Sequence, residues 1–134
     1  MNLSGPFLSG VVTLLAVIVY LYMGARVGIL RGRLGIKAPA TTGDPLFERA
    51  YRVHCNTGEQ YIAFLPLLWL ATSFFHAIAW LPALFGLAFI VARIVYMQLY
   101  MAEPEKRVIG AFMTMISDVG LIVLSVIGLI QSVT

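Results

Sequence analysis

The sequence contains no aspartate, glutamate, lysine or arginine from Gln60 to Ala92. A second uncharged run extends from Phe7 to Ala25. Because a helix needs about 20 apolar residues to cross the hydrocarbon of a bilayer, both runs are long enough for membrane-spanning helices. The composition agrees, since 60% of the residues are hydrophobic and 11% are charged. Segments of about 10 residues with alternating polarity, which a membrane β-barrel requires, are absent, so we expect an all-α integral membrane protein.

The pattern of apolar runs and helix breakers predicts four helices, approximately at residues 7–30, 45–75, 81–101 and 104–130. Asp44 and Pro45 suit the N-cap and the first position of the second helix. Pro66 is expected to kink that helix, and Pro104 suits the start of the fourth. The connections are short, so a single four-helix transmembrane domain over residues 1–134 is predicted.

Positive charge in the connections predicts the orientation in the membrane. Both ends of the chain and the connection after the second helix lack lysine and arginine. The connection after the first helix and the connection after the third helix are basic; their lysines and arginines are Arg26, Arg31, Arg33, Lys37, Lys106 and Arg107. Cytoplasmic loops carry the excess of these residue types, so these two basic connections are predicted to be cytoplasmic and both termini to be outside. For Arg33 and Lys37, contact with anionic lipid head groups is an alternative interpretation. The first 25 residues lack the basic region of a signal peptide, so the first apolar run is expected to be a retained helix.

Polar side chains cluster where the second helix enters the apolar region. Arg52, Asn56 and Glu59 are spaced to share one helical face, whereas Thr57 is expected to lie on another. The third helix carries a similar stripe, because Arg93, Tyr96 and Tyr100 are spaced at i, i+3 and i+7. Charges inside a membrane cost a few kcal/mol each and usually mark a functional site. The alternative is that the arginines extend to head groups and that Arg52 and Glu59 neutralise each other. The full set near the cytoplasmic boundary is Arg31, Arg52, Asn56, Glu59, Arg93, Tyr96, Tyr100 and Arg107.

The side chains in this set favour a small, net-anionic ligand that contains a zwitterion, such as a peptide or an amino-acid derivative. Arginines suit its carboxylates and Glu59 suits an ammonium group. No residues have the spacing of metal ligands, a phosphate-binding loop or a Ser-His-Asp triad, and no nucleic-acid partner is expected. Cys55, the only cysteine, has no adjacent base and is interpreted as a helix-packing residue. Asp118, near the middle of the fourth helix, is expected to have a structural role.

Three segments of the chain resemble the MAPEG family, the membrane-associated proteins of eicosanoid and glutathione metabolism. They are residues 47–59, with the pattern E-R-x-x-R-x-x-x-N-x-x-E, residues 92–100, and residues 41–45, which are similar to a loop of the cysteinyl-leukotriene synthase branch. Gln60 and Gly32 depart from that branch, which has a tyrosine and a second arginine there. The compact chain is more similar to a bacterial-type member, which would lie in the inner membrane.

The resemblance implies a homotrimer of four-helix transmembrane subunits, with glutathione held at subunit interfaces near the cytoplasmic face. Glutathione would be the co-substrate of a transferase or peroxidase that acts on a lipophilic electrophile or a lipid hydroperoxide, a role in detoxification. Arg107 would stabilise the thiolate and Arg31 would assist from the first helix. Carried over position by position, the residues that would bind glutathione are Arg52, Asn56, Glu59, Arg93, Tyr96, Gln98 and Tyr100.

Two other functions remain as alternatives. One is a non-catalytic, lipid-binding member of the same family. The residues whose retention argues against it are Arg93, Tyr96, Tyr100 and Arg107. The other is a small four-helix, proton-coupled exporter, suggested by Glu59 and Asp118 as acids within the membrane. An exporter of that class does not need a cluster of arginines.

Overall fold

The structure, a computed structural model, describes residues 4–134. It contains four α-helices, α1 (Gly5–Arg33), α2 (Pro45–Phe74), α3 (Leu81–Ala102) and α4 (Arg107–Gln131), and one 3-10 turn, Pro104–Lys106. No strand occurs in this part of the chain. The predicted all-α, four-helix fold is confirmed. The first three residues of the predicted 1–134 domain lie outside the described residues.

The ends of the helices follow local chemistry. Asp44 is the N-cap of α2, as predicted, since its carboxylate accepts hydrogen bonds from the backbone N–H groups of Leu46 at 2.8 Å and Phe47 at 3.4 Å. The fourth helix differs from its prediction, because Pro104 begins a 3-10 turn and the α-helix starts only at Arg107. A short 3-10 turn is a common way to enter a helix, and proline fits its first position because the first N–H groups of a helix have no intrahelical partner.

The helices α2 and α3 form the middle of the bundle. Helix α1 packs against both of them, and α4 packs most extensively against α3 and also against α2, whereas α1 and α4 are not substantial neighbours within residues 4–134. The two outer helices therefore lie on different sides of the α2–α3 pair.

A glycine permits the close approach of α4 to α3. A Cβ atom on Gly110 would lie 2.5 Å from the Cα atom of Tyr96. Small residues at helix interfaces allow backbones to approach closely in membrane bundles. Gly110 therefore fixes how near α4 lies to the middle of the bundle.

The basic connections lie at the same end of the bundle. Arg49, in the first turns of α2, donates a hydrogen bond to the backbone carbonyl of Met101 near the end of α3, at 3.0 Å. Arg26, near the end of α1, contacts the Met97 sulfur at 3.5 Å. The last turns of α1 and α3 and the first turns of α2 and α4 therefore share one end, which places the polar clusters of the sequence together.

Within residues 4–134, three segments are long and apolar enough to cross a membrane, namely Gly5–Arg33, Leu81–Ala102 and Pro104–Gln131. The chain is an integral membrane protein. Helix α2 has charged residues throughout its first half, so a fourth crossing by α2 stays a prediction. Buried polar groups pair inside the bundle, as the contact between the Ser9 and Thr72 hydroxyls at 2.7 Å shows. Such pairing is required where no water can replace it.

Candidate functional site

An open cleft of about 460 Å³ lies between α2, α3 and α4. Most of the predicted site residues of α2 and α3 line it, together with residues of α4. Apolar side chains from α4 complete its wall. The polar lining residues are Asn56, Glu59, Gln60, Arg93, Tyr96, Thr114 and Asp118.

Arg93 is the most buried charged residue of the site, with only 2% of its surface exposed. Its Nη2 and Nε atoms donate to the Thr57 hydroxyl at 2.8 Å and 3.3 Å. Its guanidinium carbon lies 4.0 Å from the centre of the Tyr96 ring, a cation–π contact. No carboxylate of residues 4–134 lies within 4 Å of it. A buried cation whose closest polar contacts among residues 4–134 are a hydroxyl and an aromatic ring, with no carboxylate within 4 Å, can bind an anion.

A line of contacts leads from the cleft to the start of α4. The Asn56 amide donates a hydrogen bond to the Tyr96 hydroxyl at 2.7 Å, and the rings of Tyr96 and Tyr100 lie 5.6 Å apart. Arg107 donates to the Tyr100 hydroxyl at 3.3 Å, and its guanidinium carbon lies 5.4 Å from the centre of that ring. The stripe predicted on α3 is therefore a continuous surface, with Arg93 at one end and Arg107 at the other.

The two charged residues at the edges of this surface are both exposed and do not pair with each other. Glu59 lines the cleft, whereas Arg52 lines a second depression of about 250 Å³ that includes Tyr100. Within residues 4–134 the one ion pair closer than 4 Å joins Lys106 and Glu103 on the surface, at 2.8 Å. Mutual neutralisation of Arg52 and Glu59, the structural alternative, is not present in the described chain.

Two predicted site residues lie away from this surface. The Arg31 guanidinium donates to the backbone carbonyl of Ala40 at 2.9 Å and lies 4.8 Å from the centre of the Phe47 ring, at the junction of α1 and the following loop. Gln98 is exposed, and its position on α3 is turned away from Tyr96 and Tyr100. One chain therefore does not bring the whole predicted set together.

Thr57 was not predicted as a site residue, although its hydroxyl holds Arg93. The prediction placed Asn56 at the centre of the polar helical face, and Thr57 was therefore expected to lie on a different face. In the structure Thr57 is fully buried between α2 and α3, and it also donates to the Val53 carbonyl at 2.8 Å. The sequence did carry a usable indication, because a buried arginine needs an acceptor and Thr57 lies next to the predicted face. Thr114, on α4, was also missed.

Comparison with known proteins gives matches over most of the chain. The sequence profile of the MAPEG family matches residues 9–127. An uncharacterized protein of Synechocystis is 38% identical over 112 residues, which cover 84% of this chain and 80% of that protein. Leukotriene C4 synthase of Bos taurus is 41% identical over 96 residues, which cover 72% of this chain and 63% of that protein. Microsomal glutathione S-transferase 2 of Mus musculus is 37% identical over 99 residues, 74% of this chain and 66% of that protein. The match thus spans less than two thirds of the length of these last two relatives.

Proposed function

Because this chain belongs to the MAPEG family, we propose that it is a membrane enzyme that activates glutathione as a thiolate. The thiolate would attack a lipophilic electrophile or reduce a lipid hydroperoxide. The observation that carries the proposal is the buried Arg93, which faces a cleft, has no carboxylate partner among residues 4–134, and connects through tyrosines to Arg107. The relative named a microsomal glutathione S-transferase supports the choice of ligand.

The charges around the cleft match the chemistry of glutathione. This tripeptide has two carboxylates and one ammonium group, and arginines bind carboxylates through charge-assisted, often bidentate hydrogen bonds. Arg93 and Arg52 would take the carboxylates, a carboxylate of the cleft would take the ammonium group, and Glu59 would either serve as that carboxylate or fix a neighbouring arginine of the site. Asn56, Tyr96 and Tyr100 would supply neutral hydrogen bonds that fix the orientation of the peptide.

Arg107 would stabilise the reacting sulfur. A free thiol has a pKa near 8.5 and is mostly protonated at neutral pH, yet the thiolate is the nucleophile. In transfer, the thiolate sulfur forms the new carbon–sulfur bond and the leaving group departs with the electron pair of the broken bond. In peroxide reduction, two glutathione molecules supply the two electrons and become the disulfide. In both reactions a fixed cation beside the sulfur favours the reactive form.

The membrane location explains why an enzyme of this kind would be built from apolar helices. Lipophilic electrophiles and lipid hydroperoxides partition into the bilayer, whereas glutathione is charged and stays in water. The predicted site extends from Arg107, at the end of the bundle where the basic connections lie, inward to Arg93, so the two substrates would meet near the edge of the membrane. We therefore place the site near the cytoplasmic face, as the positive charges predict.

Purified protein in detergent, assayed with glutathione and a panel of electrophiles and hydroperoxides, tests the proposal directly. We expect conjugation or reduction with at least one class of substrate, and glutathione binding by isothermal titration calorimetry. Binding without turnover would favour the non-catalytic alternative. Absence of binding, combined with proton-coupled uptake of a drug into proteoliposomes, would instead support an exporter.

The position of Arg31 leads to a proposal about assembly. Arg31 belongs to the α1 side of the α2–α3 pair and Arg107 to the α4 side, so the same chain does not join them. We propose a homotrimer in which Arg31 of one subunit completes the site formed by α2, α3 and α4 of its neighbour.

This arrangement predicts complementation between two inactive variants. Arg31→Ala and Arg107→Ala should each lose most activity alone. Mixed trimers from co-expression should regain part of it, because an Arg107→Ala subunit supplies an intact Arg31 to an Arg31→Ala neighbour. The measurement is the specific activity of trimers purified through a different tag on each variant. Activity of mixed trimers no higher than that of either variant would place both residues in a single chain's site.

A second prediction concerns Glu59 at the mouth of the cleft. Glu59→Gln keeps the size and one acceptor but removes the charge, so glutathione affinity should fall by about 10-fold, as expected for the loss of one charged hydrogen bond. The control is Glu103→Gln, which removes the same charge from a surface ion pair outside the cleft. Equal affinities of the two variants, measured by calorimetry, would give Glu59 a role in packing.

A further inference from the structure

The α2–α3–α4 cleft contains a second charged group without a partner, Asp118 of α4. Its Oδ1 atom is buried and has no hydrogen-bond partner within the described chain. Asp118 lines the same cleft as Arg93, but their charged groups are not within 4 Å of each other. A partly buried carboxylate and a buried guanidinium are both costly when neither has an oppositely charged partner within 4 Å. Two such groups facing one open space suggest that both are completed by the same ligand.

The balance of charge in the cleft indicates which part of a ligand fits. Among residues 4–134, Arg93 is the one cation that lines the cleft, whereas Glu59 and Asp118 are both carboxylates. A purely anionic group would therefore meet one favourable charge and two unfavourable ones. A group that carries an ammonium and a carboxylate on the same carbon would satisfy Arg93 and a carboxylate together. The γ-glutamyl end of glutathione is such a group, whereas its glycyl end carries a carboxylate alone.

We propose that Asp118 is a ligand-binding residue, whose carboxylate accepts a hydrogen bond from the γ-glutamyl ammonium group of glutathione while Arg93 faces the adjacent carboxylate. This inference rests on the proposed function, and it replaces the structural role expected for Asp118. Asp118 suits the ammonium group better than Glu59 does, because one of its oxygens is buried, whereas Glu59 is exposed. A charge interaction is stronger where water is excluded.

The orientation that follows is consistent with the rest of the site. With the γ-glutamyl end beside Arg93 and Asp118, the cysteinyl and glycyl parts extend along the line of Tyr96 and Tyr100 toward Arg107. The thiol then approaches the cation proposed to stabilise it. The glycyl carboxylate lies toward Arg52, in the second depression.

The test compares glutathione with des-amino glutathione, in which hydrogen replaces the γ-glutamyl amino group. Both compounds are titrated into the full-length protein in detergent, as wild type, Asp118→Asn, Glu59→Gln and the surface control Glu103→Gln. Size-exclusion chromatography and thermal unfolding verify that each variant is intact. If Asp118→Asn does not fold, Asp118→Ser is used, because it is small and keeps an acceptor.

We expect the wild type and Glu103→Gln to bind glutathione on the order of 10-fold to 100-fold more tightly than the des-amino compound. Asp118→Asn should reduce that preference to within a few-fold, because it lowers the affinity for glutathione and leaves the affinity for the des-amino compound unchanged. Equal weakening of both compounds would assign Asp118 a structural role and overturn the proposal. The proposal would also be overturned if Glu59→Gln lost the preference for glutathione over the des-amino compound while Asp118→Asn kept it. A wild type that binds neither compound would instead contradict the proposed function itself.

Discussion

If the proposed function holds, we expect Arg107→Ala to lower the turnover of glutathione conjugation by about 10²-fold to 10³-fold, the range seen when one preorganised donor to a developing anion is removed. Glutathione affinity changes much less, because the other predicted contacts to the peptide remain. Arg107 begins α4, so the positive end of the helix dipole adds to its own charge at the sulfur. A cation is disfavoured at that position unless an anion lies beside it. The separation of turnover from affinity is measured by steady-state kinetics together with calorimetry.

The pH dependence of the same variant shows whether the loss concerns the thiolate. In the proposed mechanism the Arg107 cation of the wild type would lower the pKa of the bound thiol, so that thiolate would be present at neutral pH. Without the cation this pKa rises, and the pH–rate profile moves to higher pH, with part of the activity recovered in alkaline solution. Arg107→Lys should restore only part of the rate, since it keeps the charge but loses the planar fork of donors.

The neighbouring residue provides a matched control. Lys106 is exposed and pairs with Glu103, so Lys106→Ala removes an adjacent positive charge without touching Tyr100. We expect its rate and pH profile to match the wild type. Arg107→Ala with an unaltered ultraviolet thiolate absorbance at neutral pH would transfer the role to another residue, with Arg31 as the next candidate.

The fold was predictable because the hydropathy of the sequence indicates which segments of a membrane protein form apolar helices. Uncharged runs predicted the helices, and the pair Asp44–Pro45 predicted where α2 begins. The start of α4 was less predictable. Pro104 is compatible both with the first turn of an α-helix and with a separate 3-10 turn, and only the surrounding packing decides between them.

The site was predictable to the extent that its residues share a helical face. The spacing of Arg93, Tyr96 and Tyr100 produced the line of contacts on α3, and the spacing of Asn56 and Glu59 placed both in the cleft. Periodicity within one helix does not show which neighbouring helix a face meets. The acceptor of Arg93, the Thr57 hydroxyl, and the cleft position of Asp118 depend on how α2, α3 and α4 come together, so they required the structure.

Gln60 illustrates how the sequence and the structure combine. It was identified as a departure from the leukotriene-synthase branch of the family, which has a tyrosine at that position. The structure places Gln60 on the lining of the cleft, beside Glu59 and across from α4. The departure therefore concerns a residue that can contact a ligand. Compared with the tyrosine of that branch, the Gln60 amide lacks an aromatic surface and offers a hydrogen-bond donor and an acceptor.

Gly110→Ala should destabilise the bundle more than any other exchange of one glycine for alanine at the α3–α4 interface. The added Cβ would lie 2.5 Å from the Tyr96 Cα and 2.6 Å from the Tyr96 backbone nitrogen, and a backbone cannot move aside as a flexible side chain can. Overpacking of this kind costs typically about 1–3 kcal/mol. We expect a clear fall in the thermal unfolding temperature in detergent.

The same substitution should also weaken glutathione binding, because α4 carries both Arg107 and Asp118 and must move away from α3 to admit the methyl group. The matched control is Gly10→Ala, where a Cβ meets nothing within 4 Å. Alanine is favoured over glycine inside a helix by about 1 kcal/mol, so this control should unfold at the same or a higher temperature. If both variants had the same unfolding temperature and the same glutathione affinity, the close contact between Gly110 of α4 and Tyr96 of α3 would be contradicted. A loss confined to Gly110→Ala would show that the closeness of α3 and α4 is what brings the charged residues of the cleft together.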